Sequence, residues 1–315
     1  MQSLTMLAFE RGYFLRREAV ELGVDDRSLT RGVRHGQLVR IRQGAYCPAD
    51  LWRDLSEEDR HLARAHASHD LLEGVAALSH ISALAEYGCP LWHAPFERVH
   101  LTRIDGGSSR IEAGVVHHRG GLSYEDVIER NGRLLTAPTR SLLDALTQLD
   151  TPSGIVAGDW MLNQGLTTLD QLWAAKNSMV RWPGMLSTEV VVRFLDGDSQ
   201  SVGESLERHL LWRLHLPRPV LQYRVYDRRG RLIGITDFAW PEHGVYGEFD
   251  GRVKYGRLLK PGQDPGEVVF AEKRREDLIR SATDGIMVRH TWADLHPRSE
   301  PSRKLVELLR GGIAA

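Results

Sequence analysis

The stretch LIGITDFAWPEHGVYGEFDG, residues 232–251, decides how the last hundred residues are read. LIGITDFAW and VYGEFDG are rich in β-branched and aromatic residues, and PEHG between them carries the proline and glycine of a tight turn. Ile233, Ile235, Asp237 and Ala239 share one face of the first run, and Tyr246, Glu248 and Asp250 share one face of the second. If the hairpin is centred between Glu242 and His243, paired residue numbers sum to 485, and Asp237 falls opposite Glu248. Like charges directly opposed across a ladder repel. They call for a proton, a compensating basic side chain or a bound cation, and a hard oxygen-seeking ion such as magnesium suits converging carboxylates.

Working outward, VLQYRVYD (220–227) reads as a further strand, and SVGESLERHLLWRLHL (201–216) as a helix with Glu204 and Glu207 on one face. Ser201 and Glu204 also have the spacing of a capping box, so Glu204 has a purely structural alternative. Glu207 lies beside Leu206, Leu210 and Leu214 and is expected to point inward. FAEKRREDLIRSATDG (270–285) predicts a basic helix, followed by a last strand and then a tail with one short amphipathic segment. Its charge run has a solvated face as its usual meaning and phosphate contact as the functional one.

Toward the N-terminus, REAVELGVDDRSLTRGVRHGQLVRIRQGAY (17–46) has the layout of two helices and a hairpin. The first helix is expected to end at Gly23, and Asp25 or Asp26 to cap a second that stops at Gly36. Arg27, Arg31 and Arg34 then share a helical face, while Arg40 and Arg42 alternate with Val39 and Ile41 on a strand. Between Arg27 and Cys47 there are five arginines and no acidic residue. A groove-inserted helix and a basic hairpin can use such residues on base edges and phosphates of double-stranded DNA. An arginine-rich solvated face on a protein-binding domain is the plainer alternative.

The whole chain bounds these readings. At 315 residues it is too long for one ordinary core. It is 42% hydrophobic and 26% charged, with 41 basic and 42 acidic side chains, so nucleic-acid affinity must come from local patches. Cys47 and Cys89 make no disulfide framework, and the charged start reads as neither signal peptide nor membrane span, so a cytoplasmic location without membrane association is expected. His61, His66 and His69 on one predicted helix, and His117 and His118 on a strand, do not converge at metal-ligand spacing and read as surface histidines. The middle region, with helices over 56–74, 76–88 and 137–150 and strands over 97–104 and 113–119, reads as scaffold. A turn over Thr136–Arg140 is expected to lead into a capped helix.

The segments LRREAVELGV, LTRGVRHGQLVRIRQGAY, ALSHISALAEYG and LLTAPTRSLLDAL resemble AbiEi-type antitoxins of type IV toxin–antitoxin systems. That resemblance runs to about residue 150 and implies an N-terminal winged helix-turn-helix that binds DNA and regulates transcription, with a cognate toxin and a homodimer as possible partners. The order helix, three strands, helix, strand over 201–297 resembles the PD-(D/E)XK nuclease fold, near the very-short-patch repair endonucleases. This second resemblance implies Mg²⁺- or Mn²⁺-dependent phosphodiester hydrolysis through Glu207, Asp237 and Glu248, with Asp250 as an added metal ligand. The lysine usual two residues after the strand acid is Asp250 here, which leaves Lys254 or Lys273 to act from a shifted position.

The expected architecture is therefore α+β and multidomain. A winged helix (1–52) precedes a mixed α/β middle (53–198), a restriction-endonuclease-like αβββαβ domain (199–297) and a tail (298–315). The leading expectation is a bacterial-style, metal-dependent endodeoxyribonuclease. The alternative is a non-catalytic AbiEi-like repressor that uses the nuclease fold to bind or dimerise.

Overall fold

The computed structural model describes residues 2–72, 74–251 and 278–310. It is α+β, with three sheets, and falls into two compact units: Met1–Ala157 with Gly165–Arg193, and Gly158–Gln164 with Phe194–Ala315. The first fifty residues and the middle region thus share a unit.

That first unit opens with α1 (Gln2–Arg11), β1 (Phe14–Leu15), α2 (Arg16–Glu21), α3 (Asp26–Arg34), β2 (Leu38–Arg42) and β3 (Ala45–Pro48). The strands form a small antiparallel sheet in the order β1-β3-β2. Asp25 caps α3, its carboxylate accepting the Ser28 amide at 2.8 Å. The chain leaves α3 through Gly36 at φ +69°, a left-handed conformation that glycine adopts without a Cβ penalty. Leu4, Ala8, Phe14, Ala19, Leu29 and Leu38 form the core beneath these elements. Gly32 lets α3 approach β2, because a Cβ there would stand 2.9 Å from Leu38 Cδ1.

After α4 (Ala49–Asp54) and α5 (Glu57–Asp70) come β4 (Ala76–Leu78), α6 (His80–Tyr87), β5 (Val99–Arg103), β6 (Arg110–Glu112), β7 (Val115–Arg119), β8 (Val127–Arg130), β9 (Arg133–Thr136) and α7 (Pro138–Leu146). The six strands make one mixed sheet in the order β6-β7-β5-β4-β9-β8. Residues 76–78, expected as the start of a helix, are instead a buried strand between β5 and β9. Pairing on both edges overrides the helical preference of alanine and leucine. Helix α7 starts with Pro138 in its first turn and has no side-chain cap, since its N-cap is Ala137; Arg140 and Asp144 form a buried ion pair at 2.9 Å. The unit continues through α8 (Thr151–Asn163), α9 (Leu169–Ser178) and α10 (Thr188–Phe194), the contact division falling within α8 and at the end of α10.

The expectation of surface histidines is corrected. His61, His69 and His117 are buried, as are His80 and His100. His61 is held between the Phe96 carbonyl at 3.2 Å and the Ser82 hydroxyl at 2.9 Å, and His66 pairs with Glu86 at 2.5 Å. A one-dimensional charge pattern treats histidine as polar, whereas a neutral imidazole with partners packs in a core. Both cysteines are free and buried.

In the second unit α11 (Val202–Arg213) precedes β10 (Val220–Tyr226), β11 (Leu232–Trp240), β12 (Val245–Asp250), β13 (Ile286–Thr291) and α12 (Glu300–Arg310). The sheet order is β10-β11-β12-β13, antiparallel in its first two pairings and parallel in the last. Residues 278–283 are helical and lead toward β13. The β11–β12 hairpin has the expected register: Trp240 pairs Val245, Ala239 pairs Tyr246 and Phe238 pairs Gly247, with Pro241–His243 as a 3₁₀ turn and Gly244 at φ +62°. Leu211, Leu216, Phe238, Trp240, Val245 and Val288 form a core with Leu305 and Leu309, so the amphipathic tail segment is a structural helix of this unit. Helix α11 lies so close to β12 that a Cβ on Gly203 would stand 1.9 Å from Phe249 Cε1.

Candidate functional sites

On α3 the side chains of Arg27, Arg31 and Arg34 are exposed, and they make no ion pair among the described residues. Arg31 and Arg34 lie in the last turn, where a basic residue also complements the helix dipole. Arg40 on β2 is exposed as well. Arg42 is different. A β-bulge between Arg40 and Arg42 breaks the alternation, so the two arginines do not share a face. Ile41 packs against the cluster of Tyr13, Leu15, Ala63 and Ala67, and Arg42 donates to Ser68 Oγ on α5 at 2.8 Å. Burial also lowers the Arg42 pKa, as expected for a cation turned toward protein. Four of the five expected DNA-binding arginines therefore stand open to solvent, and the fifth braces β2 against α5.

The carboxylates of the second unit are placed by α11, β11 and β12. Extending the observed ladder by one step sets Asp237 opposite Glu248. Asp237 Oδ2 accepts the Phe249 amide at 2.8 Å, which holds the acid against β12. Glu248 is 6% exposed and Asp250 is half-buried. Across the parallel pairing Glu248 faces Arg289, whose guanidinium lies 2.9 Å from Glu248 Oε2 and 3.9 Å from Asp250 Oδ2. Of the three ways to stabilise neighbouring carboxylates, the described residues thus supply a basic side chain. Arg289 lies in β13 and was not among the residues expected at the site, because it reaches Glu248 only through the parallel β12–β13 pairing.

The helix acids have distinct roles. Glu204 Oε2 accepts the Gln200 amide at 2.9 Å and the Gln222 side-chain amide at 3.2 Å, and its other oxygen accepts the Ser201 hydroxyl at 2.8 Å. Its carboxylate reaches one residue behind the N-cap, a variant of the capping arrangement. Burial pushes the Glu204 carboxyl up to about 7, the Gln200 amide opposes this, and Asp237 adds to it. Glu207 points inward as expected and is 1% exposed. His290 Nδ1 stands 2.9 Å from Glu207 Oε1, an ion-pair distance without hydrogen-bond alignment, and the same ring reaches Ser302 Oγ on α12 at 3.3 Å. Burial raises the Glu207 pKa and His290 counters it. Lys254 and Lys273 lie outside the described residues.

Oxygen donors are the right chemistry for magnesium or manganese. Among the described residues, however, the one group of three histidine, cysteine or acidic side chains with ligand atoms within 4.8 Å of one another is His80, His100 and His118, in the first unit. Asp237, Glu248 and Asp250 do not form such a group, and Arg289 stands where a cation between Glu248 and Asp250 would. Among the described residues this carboxylate set is arranged around Arg289.

Residues 2–49 match a family described as transcriptional regulator, AbiEi antitoxin. This is the segment that contains α1 to β3 and the α3 arginines. Over a longer span the chain is similar to two proteins of Mycobacterium tuberculosis, from two strains, named as uncharacterized proteins MT2308 and Rv2248. Each is 27% identical over 259 residues, covering 78% of this chain and 90% of the relative. No helix among the described residues is long and apolar enough to cross a membrane.

Proposed function

We propose that the protein is a DNA-binding transcription regulator of the AbiEi antitoxin kind, in which residues 1–52 act as a winged helix-turn-helix. Helix α3 enters the major groove and presents Arg27, Arg31 and Arg34, while Arg40 follows a phosphate strand. The observation that carries this reading is the row of exposed arginines on a short, capped helix, making no ion pair among the described residues. The family description makes a toxin the expected protein partner, and twofold-related half-sites would follow from a homodimer. In this reading the second unit is a nuclease-like body without turnover, with Glu248 paired to Arg289, Asp237 and Glu204 accepting backbone amides, and Glu207 at ion-pair distance from His290.

The test is fluorescence anisotropy on a labelled 30-base-pair duplex across a salt series. Neutralising phosphates releases counterions, so affinity should fall steeply with salt. Arg31→Ala combined with Arg34→Ala should weaken binding by about tenfold or more and flatten the salt slope by about 2. Unchanged affinity in a folded variant would remove α3 as the recognition element.

A second reading, metal-dependent phosphodiester hydrolysis by a PD-(D/E)XK-like unit, is favoured by one observation: Asp237 on β11 accepts the Phe249 amide next to Glu248 on β12, with Glu207 buried on α11. It requires Arg289 to release Glu248. Calorimetric titration of Mn²⁺ into the wild type, Asp237→Ala and Glu248→Ala decides it. Binding lost in both variants supports the hydrolase, and a folded wild type that takes up no Mn²⁺ through these acids rejects it.

A further inference from the structure

His80, His100 and His118 come from three separate elements of the first unit and meet on one side of its sheet. His80 is the first residue of α6, and His100 and His118 lie on the parallel strands β5 and β7. His100 pairs with Val116 and Thr102 with His118, so the two histidines are diagonal neighbours on the same face. Ser79 joins the set by donating its amide N–H to the His100 carbonyl at 3.1 Å.

The geometry is close. His100 Nδ1 and His118 Nε2 are 2.9 Å apart, the His80 and His118 rings stack at 3.8 Å between centroids, and one ring nitrogen of each histidine lies within 4.8 Å of the others. His80 and His100 are buried, and His118 is half-buried, which leaves a path from solvent. His80 Nδ1 is engaged by Ser79 Oγ at 3.0 Å, a contact that orients the ring. Its backbone sits at φ +53°, a conformation uncommon outside glycine, with asparagine, aspartate and histidine the better-tolerated exceptions. A buried ring held by a left-handed backbone points to a positional requirement at this spot.

We propose that His80, His100 and His118 form a binding site for a first-row divalent transition ion of the zinc class, which ties the start of α6 to strands β5 and β7. Imidazole nitrogens select zinc, cobalt, nickel or copper over magnesium and calcium, which prefer oxygen. The groups around the cluster keep the rings neutral. Burial lowers all three histidines, His100 to about 3 and His118 to about 4, with neighbouring imidazoles, Arg98 and Arg140 adding to the effect. Arg140 is itself paired with Asp144, so its charge is partly offset. The Gln148 side chain lies 3.3 Å from His100 Nδ1, and water can fill a fourth position.

Ion uptake makes one chemical demand. The hydrogen shared between His100 Nδ1 and His118 Nε2 must move to the other nitrogen of its own ring, so that both lone pairs face the metal. No proton is gained or lost overall. Two imidazole nitrogens on a tetrahedral zinc stand about 3.3 Å apart. His100 and His118 need only a small separation to reach that distance, while His80 must draw in and the stacked rings must turn so that their in-plane lone pairs converge on the ion.

The competing description is a hydrogen-bonded imidazole cluster that binds no ion. Cobalt(II) separates the two, because a tetrahedral cobalt centre absorbs strongly in the visible. Chelator-treated full-length protein should take up one equivalent of Co²⁺ with those bands, and Zn²⁺ should displace it. His80→Asn, which tolerates the left-handed backbone, His100→Gln and His118→Gln should each weaken Co²⁺ binding by at least about tenfold. His243→Gln, in an exposed turn of the other unit, should leave the bands in place. A folded wild type without the bands, or bands that survive His100→Gln and His118→Gln, overturns the proposal. If a variant does not fold by circular dichroism, X-ray absorption on the cobalt-loaded wild type decides: imidazole scattering supports the site and an oxygen-only shell rejects it.

Discussion

On α3, Arg27, Arg31 and Arg34 stand in solvent with no ion pair among the described residues. In the second unit Arg208 is 4% exposed against an Asp159 side chain that is 1% exposed, and Arg289 lies between Glu248 and Asp250. The residue type is the same, and the difference is where its counter-charge comes from. An exposed guanidinium keeps its hydration and waits for an external anion. A buried one must be matched inside the fold, because an unpaired charge there is costly. The first arrangement suits reversible binding of a polyanion. The second holds acids in place and explains why a carboxylate-rich strand need not imply a bound metal.

The largest effect that would break this contrast concerns Arg208. Its guanidinium bonds Asp159 at 2.6 Å and the Phe194 carbonyl at 2.5 Å, and burial pushes Asp159 up to about 6. Arg208→Met should destabilise the protein by on the order of 3–5 kcal/mol in urea unfolding, whereas Arg31→Ala should stay within about 0.5 kcal/mol. Similar losses for the two would erase the distinction between paired and free arginines.

Next comes the pH dependence of Glu204. Its pKa is raised to about 7 in the folded state, so that state holds the proton more tightly than the unfolded chain does. Stability from this group is therefore greatest below the unfolded value and is lost as pH rises to about 7. The amplitude is on the order of 3 kcal/mol. Glu204→Gln should remove that slope in unfolding midpoints measured from pH 4 to 8. An unchanged slope would mean that Glu204 is not the group responsible.

Arg289→Gln sharpens the comparison within the second unit. Removing the guanidinium leaves Glu248 buried with less compensation and should cost about 1–3 kcal/mol. If Arg289 is what excludes a cation, the variant should also take up Mn²⁺ more tightly than the wild type by calorimetry. Weaker uptake in the variant would assign Arg289 a supporting role instead.

The smallest effect lies between two neighbours. Arg42→Ala should lower stability by about 1 kcal/mol through its lost Ser68 bond and leave DNA affinity intact. Arg40→Ala should spare stability and reduce the salt slope of DNA binding by about 1. The reverse pattern would place the hairpin, rather than the bulge, in charge of which arginine meets DNA.

Much of the local structure was legible in the sequence. Asp25 capping α3, the termination of that helix before Gly36 and the register of the Pro241–Gly244 hairpin depend on residues a few positions apart. Spacing and turn chemistry specify these directly. The bulge in β2 was not visible, because one extra residue in a strand leaves the alternation in sequence unchanged while turning Arg42 toward α5. Residues 76–78 were misassigned for a related reason: three small or aliphatic residues carry no periodicity, and partners at Leu101 and Leu135 made them a strand. Periodicity placed Glu207 on the inward side of its helix and Glu248 on a strand. Their partners were not legible, since His290 and Arg289 reach them only through the parallel addition of β13.

By itself, then, the amino-acid order determined α3 with its Asp25 cap, the β11–β12 hairpin and the row of arginines on α3, all governed by interactions within about a dozen residues. Tertiary structure alone decided that Arg289 faces Glu248 and that His80, His100 and His118 converge. Both assemblies join strands that are distant in sequence. Their pairing is set by burial and sheet topology, which no local window of residues contains.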